Sequence, residues 1–326
     1  MIRGLALLLI GAAITISSAG AAAPGAKLQS TSPIFYYRSG GVWKMGLDGS
    51  GNALLCPAEF KVRPSYRLHG GQRWFTTTWD TMYPQFIVTA EDGRQATIFT
   101  DGDGGVELDL GAWIQWMPGD SAVSFLGRRW VNGQVVEVGV YSVALLFDGG
   151  GNIVGAHPPV LRIGTPAYGS VDDPYPDCFN SSWSPSGDAI VFSRWQDNRL
   201  WIAGSGGLRV VYSGSPTAVY PAWGSTDKIA FYRFGSKGQE LCVMGSNGAG
   251  LKVLATLTAK TTERAYIENP SWSDDGAWVV YGERISKNDL YSTLVRRDVV
   301  KVPVAGGKVT NLTSSINDPC LPMRRQ

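Results

Sequence analysis

The sequence predicts an all-β chain folded as a six-bladed β-propeller, its ring closed by pairing of the N- and C-terminal strands. Three observations carry that prediction. The first is a recurring phrase: a small or proline residue, a bulky residue two positions on, a turn such as Ser-Pro-x-Gly, then an apolar run. The bulky residue falls at Tyr66, Trp116, Trp183, Trp223, Trp272 and Leu321, at spacings of 40 to 50 with one interval of 67. Periods of that size with several short strands per unit mark propeller blades. The second is composition. Only 17% of the 326 residues are charged, while 41 are Gly, 12 Trp and 13 Tyr, which suits short strands joined by tight turns. The third is that the chain ends complement each other. Residues 34–37, 42–45 and 53–55 read as the second, third and fourth strands of a blade, and residues 319–323 read as a first strand lacking the rest. Pairing them closes the ring and removes exposed strand edges.

Within a unit the elements follow in order. The Trp-containing segment is the first strand, and Ser184-Pro185-Ser186-Gly187 or Ser273-Asp274-Asp275-Gly276 turns the chain into the second, at residues 189–192 or 278–281. Residues 199–202 and 240–244 read as third strands. The Gly-rich step at Gly245-Ser246-Asn247-Gly248 sets up a fourth at residues 251–254. Trp183, Trp223 and Trp272 are expected between neighbouring blades, where a flat ring buries most area.

Residues 1–23 read as a secretory signal: Arg3, an apolar run over residues 4–16, then small residues. Residues 24–32 are a short linker and residues 33–326 the propeller. The apolar run is too short to span a bilayer, so no membrane span is expected after cleavage, and the chain is expected in the periplasm or secreted. An uncleaved anchor is the alternative. Export makes Cys56, Cys178, Cys242 and Cys320 possible disulfide partners, with three connectivities. A Cys56–Cys320 bridge would lock the ring closure; free thiols are the other reading. None has the paired spacing of a zinc site.

These repeats resemble those of the TolB-type propeller, which run Pro-x-Trp-Ser-Pro-Asp-Gly, an apolar strand, Ser-x-Arg-x-Gly, an Ile-Tyr-x-Met strand and Asp-Gly. The resemblance is closest over residues 181–213, 220–256 and 269–313, and Val42-Trp43-Lys44-Met45-Gly46-Leu47-Asp48-Gly49-Ser50 matches the latter half. Residues 64–180 match loosely. The resemblance implies the fold. It leaves function open, because such repeats serve envelope proteins, peptidase gating domains and some lyases. With about ten residues between signal and first strand, the separate N-terminal domain of TolB is not expected.

Several chemistries are disfavoured. A net charge of +2 offers no basic footprint for nucleic acid. There is no Gly-x-Ser-x-Gly elbow. The two histidines, His69 and His157, cannot form the histidine cluster that the resemblance to metal-dependent lyases would require. No cofactor is expected. Asp101 and Asp103, in Asp101-Gly102-Asp103-Gly104-Gly105, have the alternation of a calcium loop without its full ligand set, and a Gly-rich turn between blades 2 and 3 is the plainer reading.

The loops between second and third strands share one face. Their positions hold Arg38, Trp79, Arg128-Arg129-Trp130, Arg194-Trp195, Arg233-Phe234 and Glu283-Arg284. Exposed Arg and aromatic residues anchor protein interfaces. The plainer reading is that each Arg pairs with an acid of the adjacent blade. A long loop over residues 164–178, with Tyr168, Asp172, Asp173 and Tyr175, is expected on the same face. The preferred function is a non-catalytic scaffold receiving a protein partner in the cell envelope or extracellular space. The rival is a carbohydrate- or small-ligand-binding propeller, a lyase or hydrolase with its site at the channel mouth, drawing carboxylates from Asp172, Asp173, Asp177 and Glu283.

Overall fold

The computed structural model describes residues 33–38, 41–57, 65–69, 72–79, 85–108, 114–119, 121–164, 178–194, 198–214, 217–236, 238–290, 292–314, 321–322 and 324–325. They form six sheets arranged as the blades of a propeller, antiparallel except for one short parallel strand at the edge of blade 2. Blade 4 shows the unit plainly: Cys178–Trp183, Ala189–Arg194, Arg199–Gly204 and Gly207–Tyr212 pair in chain order. Blade 5 repeats it with Ala218–Trp223, Lys228–Gly235, Gly238–Gly245 and Lys252–Leu257. Blade 6 runs Glu263–Trp272, Trp278–Lys287, Leu294–Pro303 and Thr310–Asn311. Blade 2 runs Ser65–His69, Gln72–Trp79, Gln85–Ala90 and Gln95–Thr100.

Alternation along each strand buries one residue set against the preceding blade and the other against the next. The core is therefore a ring of separate clusters, one per blade junction. Trp74, Phe86 and Phe99 of blade 2 meet Trp116, Phe125 and Tyr141 of blade 3, with Phe99 and Phe125 centroids 4.7 Å apart. Equivalent clusters fill the junctions 3–4, 4–5, 5–6 and 6–1, and Phe35, Val42 and Phe75 fill 1–2. The Trp markers sit at these junctions as expected. Trp183 Nε1 donates to Ser124 Oγ of blade 3 at 2.8 Å, and Trp272 Nε1 donates to the Ala222 carbonyl of blade 5 at 2.9 Å.

Ring closure is as the sequence predicts, with a changed register. Blade 1 consists of Leu321–Pro322, Ile34–Arg38, Gly41–Met45 and Ala53–Pro57. Leu321 lies opposite Tyr37, next to Arg38, whereas Trp183, Trp223 and Trp272 lie opposite Ile190, Ile229 and Val279, early in their second strands. Leu321 is thus not the structural counterpart of the Trp markers. No turn links this first strand to its neighbour, so nothing local sets its register. The chain then changes sheets: Arg324–Arg325 pairs in parallel with Ser65–His69 of blade 2 and lies against Glu263–Trp272 of blade 6.

Blade 3 explains the 67-residue interval. Both Val106–Leu108 and Gln115–Trp116 pair with Ala122–Val131, and the 14-residue strand Gln134–Phe147 carries two outer segments, Ile153–Ala156 and Val160–Gly164, separated by His157-Pro158-Pro159. Asn132 and Gly133, both at positive φ, make the two-residue hairpin turn. Second strands are ten residues long in blades 3 and 6 and five to eight elsewhere. In a ring of six, these two blades face each other across the central axis.

Candidate partner-binding face

The face formed by the connections between second and third strands is shaped by those two long hairpins. Their ends carry exposed aliphatic groups: Leu290 is 90% exposed, and Val131, Val136, Leu294 and Val295 are between 39% and 48% exposed. Phe234 of blade 5 joins them at 42%. Its ring meets Tyr232 edge-on at 5.9 Å, and Tyr232 stacks on Tyr220 at 5.1 Å, so this aromatic is held on a ladder of rings.

The arginines of the rim are engaged. Arg233 lies opposite Glu240 across its own hairpin, with Nε to Oε2 at 2.8 Å, and its Nη1 donates to Tyr212 Oη of blade 4 at 3.3 Å. The Tyr212 bond, more than Glu240, raises the Arg233 pKa and keeps it charged. Arg129 lies opposite Glu137 at 3.3 Å, and Tyr141 Oη donates to the same carboxylate. Arg38 stacks on Trp43 at 4.1 Å. Arg284 stacks on Tyr266 at 4.2 Å and reaches Glu268 at 3.4 Å, while Arg297 binds Glu268 at 2.9 Å. The acid partners of Arg233 and Arg129 come from the same blade, across the hairpin, and not from the adjacent blade. Direct cross-strand opposition brings the charged ends together.

Register also divides residues that the sequence groups. Arg233 and Phe234 point to opposite sides of blade 5, the first toward Tyr212 of blade 4 and the second along the Tyr232 ring. Counted from the Trp pairing, Glu283 occupies the Arg233 position in blade 6, and Arg284 the Phe234 position. Glu283 lies opposite Asp298, and Arg296 bridges them at 3.3 and 2.6 Å. Burial raises the Glu283 carboxyl against the pull of Arg296. Sequence reasoning missed Glu137, Glu240 and Glu268, because single acids carry no motif. It also missed the hairpin tips, although Asn132-Gly133 between apolar runs is a hairpin signal.

Trp195, Tyr168, Asp172, Asp173, Tyr175, Asp177 and Cys320 lie outside the described residues, as do residues 1–32 and the side chains of Cys56, Trp79 and Arg194. Trp130 is half-buried beside Arg129. Cys56 belongs to the outermost strand of blade 1 and Leu321 to the innermost, in one cross-strand row through Tyr37 and Val42. Cys242 is a buried free thiol, so a framework pairing all four cysteines does not form. Asp103 opens a 3-10 turn, and its Oδ2 accepts the Thr100 N–H at 2.8 Å. Among the described residues no three His, Cys, Asp or Glu side chains gather as metal ligands, and no helix is long and apolar enough to cross a membrane.

Solved structures share this architecture. TolB from Acinetobacter baumannii superposes with a TM-score of 0.52 at 14% identity, covering 86% of this chain and 66% of that one. The fold is a TolB-like propeller. The chain spans just under two thirds of that TolB's length. The tricorn protease (TM-score 0.46, 11% identity, 86% of this chain and 26% of that one) and a puromycin-hydrolysing peptidase of Mycobacterium tuberculosis (0.44, 12%, 87% and 53%) also match. No family model and no curated protein matches the chain. At these identities the likeness concerns the ring of blades, and function has to be argued from the site.

Proposed function

We propose that this TolB-like propeller is a non-catalytic scaffold that receives a protein partner on its hairpin face, in the periplasm or outside the cell. The observation that carries the reading is the placement of exposed aliphatic residues at the ends of two long hairpins on opposite blades, Val131 and Val136 on blade 3 and Leu290, Leu294 and Val295 on blade 6. Exposed apolar groups gathered on one face mark interaction surfaces. The rim supports it: Arg233, Arg129 and Arg284 are fixed by carboxylates and rings, and pre-positioned Arg and aromatic side chains are the usual anchors of an interface. The extracytoplasmic location follows from the leader-like residues 1–23.

The test is in-situ cross-linking of the tagged protein, with Phe234→Ala/Leu290→Ser/Val295→Ser as control. The scaffold reading expects a protein captured by wild type and lost with the triple variant at unchanged thermal midpoint. Equal capture by both chains removes this face.

A further inference from the structure

The opposite face of the ring, built from the turns between first and second strands and between third and fourth, carries a groove of about 520 Å³ between blades 3 and 4. Its walls are mostly apolar: Met117 and Ile163 from blade 3, Trp183, Ala203 and Leu208 from blade 4. Such a volume suits a small organic molecule.

One charged side chain enters from the blade 3 wall. In the outer strand, Leu161 lies opposite Tyr141 and Ile163 opposite Val140, so Arg162 is the extra residue of a β-bulge. A bulge breaks the alternation of side chains and re-aims the one it inserts. Here it sends Arg162 into the groove. The close approach of the two strands beside the bulge depends on Gly139, where a β-carbon would fall within 2.1 Å of the Ile163 carbonyl oxygen. Arg162 Nε donates to Ser142 Oγ at 2.6 Å, and Ser142 is buried. Among the described residues no carboxylate lies within ion-pair distance of this guanidinium, in contrast to Arg73, Arg129, Arg233, Arg284, Arg296 and Arg297. The Ser142 bond orients the guanidinium while its terminal N–H fork is left for another acceptor.

We propose that this groove binds a small monocarboxylate with an apolar body, the carboxylate on Arg162 and the body on Trp183, Met117 and Leu208. The planar guanidinium fork matches a carboxylate in two parallel bonds. Asp188, also on the groove wall, selects the charge number. Ser184 and Ser186 donate to its Oδ1 at 2.8 and 2.5 Å and hold it ionised, so a dianion meets repulsion there. The site is independent of the hairpin face, and neither proposal depends on the other.

The probe is 1-naphthoate, titrated calorimetrically into the full chain, with neutral 1-naphthamide beside it. The expected result is saturable 1-naphthoate binding weakened at least about tenfold by Arg162→Gln, with 1-naphthamide binding alike to both chains. Should Arg162→Gln lower the unfolding midpoint, Leu208→Asp gives the same readout from a position 38% exposed, by setting a carboxylate against the probe. The proposal is overturned if wild type shows no saturable binding below about 1 mM, or if 1-naphthoate binds wild type and variant equally.

Discussion

The indole of Trp272 lies so close against Gly224 that a β-carbon there would come within 2.6 Å of the ring. Blade 6 inserts its marker Trp into the space that blade 5 leaves by having no side chain after Trp223. The ring is then anchored by Nε1 donating to the Ala222 carbonyl. Gly224→Ala is expected to cost about 1–3 kcal/mol through overpacking. Urea denaturation checks this as a lower midpoint at unchanged slope; an unchanged midpoint would mean the junction yields.

Removing residues 321–326 deletes the strand that joins the chain ends and the one that pairs with blade 2, leaving the edges of Ile34–Arg38 and Ser65–His69 open. The truncated chain should lose more than about 2 kcal/mol, a large share of an ordinary domain stability of about 5–15 kcal/mol. A midpoint equal to that of the full chain would show that side-chain packing between blades 6 and 1 closes the ring unaided.

Glu283 gives a pH dependence whose sign follows from burial. Its carboxyl is raised above the ordinary 4.5, so the folded chain holds that proton more tightly than the unfolded one. The associated stability is present below that value and is lost as pH rises through the raised one. Glu283→Gln, neutral throughout, should therefore be more stable than wild type near pH 7, with the gap closing near pH 4. Denaturation at both pH values checks it, and a gap that widens in acid would contradict the assignment.

The cysteines should behave separately. Three strand spacings, about 14 Å, lie between the Cys56 backbone and Leu321, beyond the roughly 7 Å that a disulfide can span even after allowing one residue's step to Cys320. Peptide mapping of unreduced protein is expected to show no Cys56–Cys320 link. Cys242 is pushed up to about 12 by burial, so it should resist alkylation until the chain unfolds. Finding the cross-link would show that the outer and inner strands of blade 1 are not where the register puts them.

The charged pairs show where legibility ended. Arg233 was visible in the repeat, because each blade encodes its strands and turns locally. Its partner Glu240 was not, because it is defined by which residues oppose each other across a hairpin. The Trp markers announced their junctions, whereas Leu321, without a turn to hold its register, was read several positions out of place. Arg162 offered no signal at all, since a bulge is a property of two paired strands.

By itself the sequence determined the all-β class, the number of blades, the closure of the ring by its own ends and the strands within each repeat. The class, the blade count and the strands rest on residues near in the chain, where turn chemistry and alternation act directly, and the closure was legible because each end carries the strands the other lacks. Only the tertiary structure decided which charges neutralise each other, that the two long hairpins stand on opposite blades, and that a bulge turns Arg162 into a groove on the far face. The first and the last depend on which residues oppose each other across paired strands of one blade, and the second on the geometry of the closed ring.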